Sequence, residues 1–182
     1  MPLRKLTLAS LCLCFALGCD NGTESKPGGE AEGKPKAPKI TTVTLKKVDQ
    51  KGLDKAIAEY KGMVVVVDFW ATFCPPCLKE FPNFVKMSNK YADKGLVGIS
   101  ATWDDPDNHE VALGVLKKEE SKLPNFLVTD PDKSGEKYDF EALPAAAIYG
   151  KDGKLVKVFK SEEGPYNYED VEKFVKPLLE GE

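Results

Sequence analysis

Apolar and polar positions follow two periods along this chain, and the two alternate. Residues 40–48, ITTVTLKKV, switch in and out as a half-exposed strand does, and Leu53, Ala56, Ile57 and Tyr60 then recur at helical spacing. Residues 63–71, MVVVVDFWA, are a continuous apolar run of the kind buried on both faces of a central sheet, interrupted only by Asp68. A helix is expected from there through Lys94, with a kink at Pro82. Residues 96–103 read as the next strand, and DDPDNHE (104–110) supplies turn and cap residues for a helix carrying Val111, Val115 and Leu116. Residues 126–129 are short and strand-like, followed by a polar turn region. Pro144 opens the strand AAAIY, and GKDGK turns the chain into a hairpin with residues 155–160. Asn167, with Asp170 three residues on, caps a last helix whose Tyr168, Val171, Phe174, Val175 and Leu178 face the core. Early alternation and a late hairpin predict an α/β fold, a central mixed β-sheet flanked by helices on both faces.

The first 39 residues stand apart from that pattern. Arg4 and Lys5 precede an apolar run, residues 6–18, which closes on ALGC (16–19). A basic start, a short apolar stretch and small residues before a cut site describe a secretory signal peptide. The cysteine directly after the small residue resembles the lipobox of bacterial lipoproteins, with Ala16 where that family usually has leucine. The resemblance implies cleavage after Gly18 and acylation of Cys19. Asp20 resembles the inner-membrane retention signal of some Gram-negative lipoproteins. The alternative is an uncleaved short membrane anchor, and either way the domain sits outside the cytoplasm, on the periplasmic side if the cell is Gram-negative. Residues 20–39, DNGTESKPGGEAEGKPKAPK, cannot bury enough apolar surface to order themselves and read as a tether. Twenty such residues hold a domain on the order of 25 Å from its anchor. The expected organisation is a signal peptide over residues 1–18, a lipidated cysteine and tether over 19–39, and one domain over 40–182.

Composition narrows the function. The chain has 182 residues, 42% of them hydrophobic, and a formal net charge of −3, too small and of the wrong sign for a nucleic-acid binder. Loss of Arg4 and Lys5 with the leader leaves 24 basic against 29 acidic residues, a net −5. Cysteine usage says more. Of five cysteines, Cys12 and Cys14 leave with the leader and Cys19 is the expected lipid site, so only Cys74 and Cys77 belong to the domain. Cys74 falls where the central strand gives way to a helix, and unpaired N–H groups and the helix dipole there favour a thiolate over the free thiol, whose pKa is about 8.5. Pro75 and Pro76 suit a first helical turn and remove two donors from the sulfur. Cys77, one turn on, falls on the same side and can close a disulfide with Cys74. The reading is dithiol–disulfide exchange: Cys74 attacks, Cys77 resolves. Two others compete with it, a stabilising disulfide and half of a zinc site. A loop this short constrains the unfolded chain little, and His109 is the one further soft ligand.

DFWATFCPPC resembles the active-site segment of thioredoxin-fold proteins. CPPCLKEFP is similar to their membrane-anchored branch, the TlpA/ResA-like thiol-disulfide reductases, over roughly residues 40–180. The resemblance implies a thioredoxin-like fold with no cofactor. It implies protein disulfide or dithiol substrates, apocytochromes c among them, and a membrane thiol-transferring electron donor. Phe73 departs from the tryptophan usual before the first cysteine. Pro144 matches the family's cis-proline, which exposes the backbone of the preceding residue, Leu143, to a substrate strand. The expected substrate-binding surface is Trp70, Phe73, Pro75, Pro76, Leu143 and Pro144. A carboxyl group inside VVVVDFW is costly to ionise, so Asp68 can exchange the proton of Cys77 near neutral pH. Thioredoxins proper carry an acid there, and many anchored relatives carry asparagine. The alternative is an aspartate satisfied by backbone donors. Glu80, three residues after Cys77, matches a glutamate lining a groove in anchored relatives, or is a solvated helix-face residue. A reading from another class is a thioredoxin-fold copper carrier without redox turnover, against which the two-residue spacing of the cysteines speaks.

Overall fold

The computed structural model describes residues 37–181. The leader, Cys19 and most of the tether lie outside the described residues. Two seven-residue strands, β2 (Val64–Trp70) and β3 (Leu96–Thr102), form the centre, and every residue of both is buried. They pair in parallel, Val64 opposite Leu96 through Trp70 opposite Thr102. β4 (Asn125–Val128) and the short edge strand β1 (Lys46–Val48) continue the parallel side. On the other side of β2, β5 (Ala145–Tyr149) and β6 (Leu155–Lys160) run antiparallel as a hairpin. The order is β1-β4-β3-β2-β5-β6, the expected mixed sheet.

Strand alternation divides the core in two. Val64, Val66 and Trp70 face α2 (Pro75–Tyr91), α3 (His109–Lys118) and α5 (Tyr168–Glu180), packing with Phe81, Phe84, Leu116, Val171 and Val175. Val65, Val67 and Phe69 face α1 (Gln50–Ala58) and α4 (Pro131–Tyr138), packing with Leu53, Ile57, Tyr138 and Phe140. Each such buried side chain is worth about 1.5–3 kcal/mol over an exposed one. The two layers therefore hold β2 fast, and its carboxyl end is a fixed platform for the loop leading into α2.

Several elements differ from the sequence expectation. Only residues 46–48 of the expected first strand are strand, because the four-residue β4 is the sole partner of β1 and leaves residues 40–45 nothing to pair with. The expected polar turn after β4 is the helix α4, whose Ser134, Gly135 and Tyr138 are buried at helical spacing, a pattern with too little apolar character to announce itself. α2 runs unbroken through Pro82 and stops at Tyr91, where a 3₁₀ turn (Ala92–Lys94) and Gly95 at φ 90° lead into β3. In α3 the buried residues are Ala112 and Leu116, and Val111 points to solvent. α5 buries Tyr168, Val171, Val175 and Leu179, turning Phe174 outward to meet Phe159 edge-on.

Gly98 sets how closely α2 lies on the sheet. A Cβ there would stand 2.1 Å from Ser88 Oγ and 2.8 Å from Ser88 Cβ, on the buried side of α2. Gly98→Ala is therefore expected to push α2 off β3 and to destabilise the domain by about 1–3 kcal/mol, read as a lowered midpoint in urea unfolding.

Candidate active site

After β2 the chain turns through Ala71, Thr72 and Phe73, and Cys74 caps α2 with extended backbone (φ −106°, ψ 95°). Pro75 and Pro76 carry no N–H, so Cys77 supplies the first free amide of the helix. That amide donates to Cys74 Sγ at 3.3 Å. The two cysteines are joined as a disulfide, with Cα atoms 5.3 Å apart. Both are nearly buried, Cys74 at 8% and Cys77 at 3% exposure, while Phe73 beside them is 69% exposed. The outer sulfur is thus reachable and the inner one is shielded. An amide donor and the helix dipole both favour negative charge on the outer sulfur once the disulfide opens.

Two carboxylates hold the loops on either side of this point, and the sequence reading identified neither. Asp104, buried at the end of β3, accepts from Thr72 N at 3.2 and 3.1 Å, from Thr72 Oγ1 at 2.5 Å and from Thr102 Oγ1 at 2.5 Å. Thr72 immediately precedes Phe73 and Cys74, so Asp104 fixes the chain leading into Cys74. Nothing in DDPDNHE separates Asp104 from its neighbour Asp105, which serves the turn by accepting from Asp107 N at 2.8 Å. Glu162, in the 3₁₀ turn after β6, accepts from Glu141 N at 2.6 Å and Ala142 N at 2.5 Å. Desolvation works to raise its carboxyl pKa, but these donors and its own amide outweigh it and hold the group below the usual range. The loop it grips leads to the cis bond between Leu143 and Pro144. Phe73, Cys74, Pro75 and Pro76 on one side and Ala142 and Leu143 on the other line a cleft of about 410 Å³.

Beneath the cysteines lies the buried acid. Alternation along β2 turns Asp68 to the face on which Trp70, Cys74, Cys77 and Phe81 pack. Asp68 is 3% exposed, and the hydroxyl of Tyr168, the first residue of α5, donates to its Oδ1. Burial is the largest influence on Asp68, the Tyr168 hydrogen bond opposes it, and the charge of Glu80 adds to it. The result is a carboxyl pushed up to about 7. Glu80 is half-buried, and its Oε2 accepts from Tyr168 N at 3.3 Å and from Asn83 Nδ2 at 3.2 Å. Tyr168 was expected only as a core residue, and no local pattern marks it as the link between two acids.

Cys74, Phe73, Pro75, Pro76 and Leu143 thus line one cleft, with Pro144 following Leu143, Cys77 buried and disulfide-bonded to Cys74, and Asp68 on the same covered side of β2. Trp70, expected on the substrate-binding surface, is placed elsewhere. It is fully buried, its Nε1 donates to Ser100 Oγ at 2.8 Å and its ring lies 4.8 Å from that of Phe81, so it supports the site from within. His109 is away from this cluster at the start of α3, its Nε2 bonded to the Leu45 carbonyl.

The redoxin family model matches residues 32–175. The thiol-disulfide oxidoreductase ResA of Bacillus cereus is 31% identical over 133 residues, 71% of this chain and 73% of that protein. ResA of Bacillus subtilis is 30% identical over 131 residues, 71% and 70% of the two chains. Among solved structures, a thioredoxin-family thiol:disulfide interchange protein from Chlorobium tepidum matches at TM-score 0.55 and 21% identity, over 67% of this chain and 83% of that one. The exposed lipoprotein thioredoxin of Streptococcus pneumoniae matches at TM-score 0.54 and 25% identity, over 66% and 88%.

The raised Asp68 has a consequence for stability. Between the ordinary carboxyl value of 3.8 and about 7 the folded chain keeps a proton that the unfolded chain has released. Stability associated with Asp68 is fully present below that window and is lost as pH rises through it, by about 4 kcal/mol at about 1.4 kcal/mol per unit. Asp68→Asn removes the ionisation. The variant is expected to match the parent in Tm near pH 4 and to exceed it at pH 8, a pair of calorimetric scans being the check.

Proposed function

The chain belongs to the redoxin family as a ResA-like, thioredoxin-fold thiol-disulfide oxidoreductase, and from that premise we propose that it reduces disulfides of exported proteins while tethered to a membrane outside the cytoplasm. The observation that carries this reading is the pairing of a shielded Cys77 with a Cys74 that opens a helix beside exposed Phe73. In the reduced chain Cys74 is the thiolate that attacks the partner disulfide. The bond between the partner's sulfurs breaks and a mixed disulfide forms through Cys74. Cys77 gives up its proton and attacks Cys74 Sγ, and the partner leaves as a thiolate that takes a proton from water. The partner gains two electrons, and the chain is left as the Cys74–Cys77 disulfide. A membrane thiol-transferring protein then restores the dithiol by the reverse sequence.

The partner lies extended between Phe73 and residues 142–143. Among the described residues no hydrogen bond engages the Leu143 main chain, which supports its pairing with a substrate strand. Phe73, Pro75 and Pro76 offer an apolar, low-entropy surface that suits many sequences, and unfolded apocytochromes c with a cysteine pair are substrates of this kind. Acylation at Cys19 is the anchor in this reading, in keeping with a similar structure from Streptococcus pneumoniae that is an exposed lipoprotein.

Cys74→Ser and Cys77→Ser are each expected to abolish catalytic disulfide reduction, and Cys77→Ser to accumulate mixed disulfides visible on non-reducing gels. Normal turnover by Cys77→Ser would end the exchange mechanism. Independently, labelled fatty acid fed to the producing bacterium is expected in the full chain and to be absent from Cys19→Ser, which would leave the membrane fraction. Labelled Cys19→Ser would refute the anchor.

A further inference from the structure

Tyr168 makes two polar contacts that neither the exchange chemistry nor the packing of α5 requires. Its hydroxyl donates to Asp68 Oδ1, and its backbone N–H donates to Glu80 Oε2 at 3.3 Å. It stands at the first position of α5, where a backbone N–H has no partner within the helix, and Asn167 Oδ1 already satisfies the next two amides, those of Glu169 and Asp170. The amide of Tyr168 is therefore the one that the helix leaves for Glu80. The ring is locked by Phe84 at 5.2 Å and Tyr166 at 6.4 Å, so the hydroxyl has one place to point.

We propose that Tyr168 is a positioning residue for the proton of the resolving step. Its hydroxyl holds Asp68 by Oδ1 and leaves Oδ2 as the atom that trades a proton with Cys77, while its amide keeps Glu80 within electrostatic reach of the same acid. This rests on the reading that Cys77 resolves the mixed disulfide. In resolution the Cys77 proton passes to Asp68 Oδ2. Sulfur then bonds to Cys74 Sγ as the Cys74–partner bond breaks, and the partner departs as a thiolate. When a donor dithiol reopens the disulfide, Cys77 leaves as a thiolate and takes the proton back from Oδ2. Tyr168 itself neither stores nor releases a proton in this cycle. Burial first, then the neighbouring Asp68 charge, holds its phenol well above the ordinary value, so it remains a neutral donor throughout.

The groups that face Asp68 fix the signs of the test. From α2 this is Glu80, with Cys77 in the core on the same side of β2, and from α5 and the loop before it Tyr168 and Tyr166, whose buried hydroxyl has no partner among the described residues. The strand neighbours of Asp68, Ser100 and Ala146, do not titrate. In the oxidised protein the cysteines do not titrate either, which isolates the acid.

The experiment is a carboxyl ¹³C NMR titration of Asp68 in the oxidised full chain, with no partner present, for the parent, Tyr168→Phe and Glu80→Gln. A midpoint near 7 is expected for the parent. Losing the hydroxyl should raise it by on the order of one unit, and losing the Glu80 charge should lower it. In the reduced protein, single-turnover resolution at pH 7 should then slow about fivefold in Tyr168→Phe, as the ionised fraction of Asp68 falls from about one half to about one tenth, and should recover at higher pH. A midpoint that stays or falls in Tyr168→Phe overturns the proposal, as does slowing by the same factor at every pH, which is all that a packing role would produce. Should Tyr168→Phe fail to fold, 3-fluorotyrosine at position 168, a slightly stronger donor whose phenol is held protonated by burial as that of tyrosine is, must lower the midpoint, and an unmoved midpoint again overturns it. The titration involves no exchange partner, so its outcome is separate from that of the Cys77→Ser trap.

Discussion

Covering both faces of β2 is the constraint on which the rest depends. A strand buried on one face could turn a carboxylate to water, but β2 has no such face, and α2 and α5 close over the side that bears Asp68. The acid is consequently dry. Dry surroundings raise the energy of its charged form, and one hydrogen bond from Tyr168 restores only part of the loss. The same covering makes the end of β2 rigid, so the turn into α2 presents Cys74 at one place. A buried, hard-to-ionise acid and a fixed cysteine at a helix start are two results of one packing arrangement.

Carboxylates play opposite parts around the site, and hydrogen-bond supply separates them. Asp104 and Glu162 are acceptors for backbone and hydroxyl donors and act as clamps on the loops that carry Thr72 and Ala142. Asp68 accepts from a single neutral phenol and is left short of donors. Charge-assisted hydrogen bonds to an ionised carboxylate are roughly twice as strong as neutral ones. An acid that receives several donors holds structure, as Glu162 does with its carboxyl kept below the usual range, whereas Asp68, with a single bond in an apolar wall, is pushed above it. The sequence shows three acids, and their partners decide what each does.

Much of this was legible in residues 64–82. The continuous apolar run predicted a strand with two covered faces, Asp68 stood out against it, and the cysteine spacing located the exchange chemistry at the strand's end. The helix capped by Asn167 was equally plain. What could not be read lies in contacts between segments distant in sequence. Asp68 and Tyr168 are a hundred positions apart and meet because α5 packs against β2. Thr72 and Asp104 meet because β2 and β3 end together, Trp70 opposite Thr102. Trp70 was misplaced because an aromatic beside a reactive motif looks the same whether it faces the partner or the core. Register decides that, since Trp70 shares the inward face of Val66 while Phe73 sits in the turn beyond the strand. α4 escaped notice because its buried face is Ser134, Gly135 and Tyr138, a contact surface made mostly without apolar side chains.

The distribution of exposure across the motif explains why two sulfurs so close together need not compete. Phe73, Pro75 and Pro76 project outward and leave Cys74 lining a cleft, open to a partner's disulfide, while Cys77 is buried in the core on the side of β2 that bears Asp68. A thiolate formed at Cys77 on the same covered side of β2 as an ionised Asp68 would place two anions in a poorly solvated space, and their repulsion favours sharing one proton between them. On the proposed mechanism the inner sulfur depends on Asp68 to receive its proton, whereas the amide and dipole of α2 favour charge on the outer one. In that mechanism capture depends on the helix terminus and release on the buried acid, so the two steps rest on different groups of the same fold.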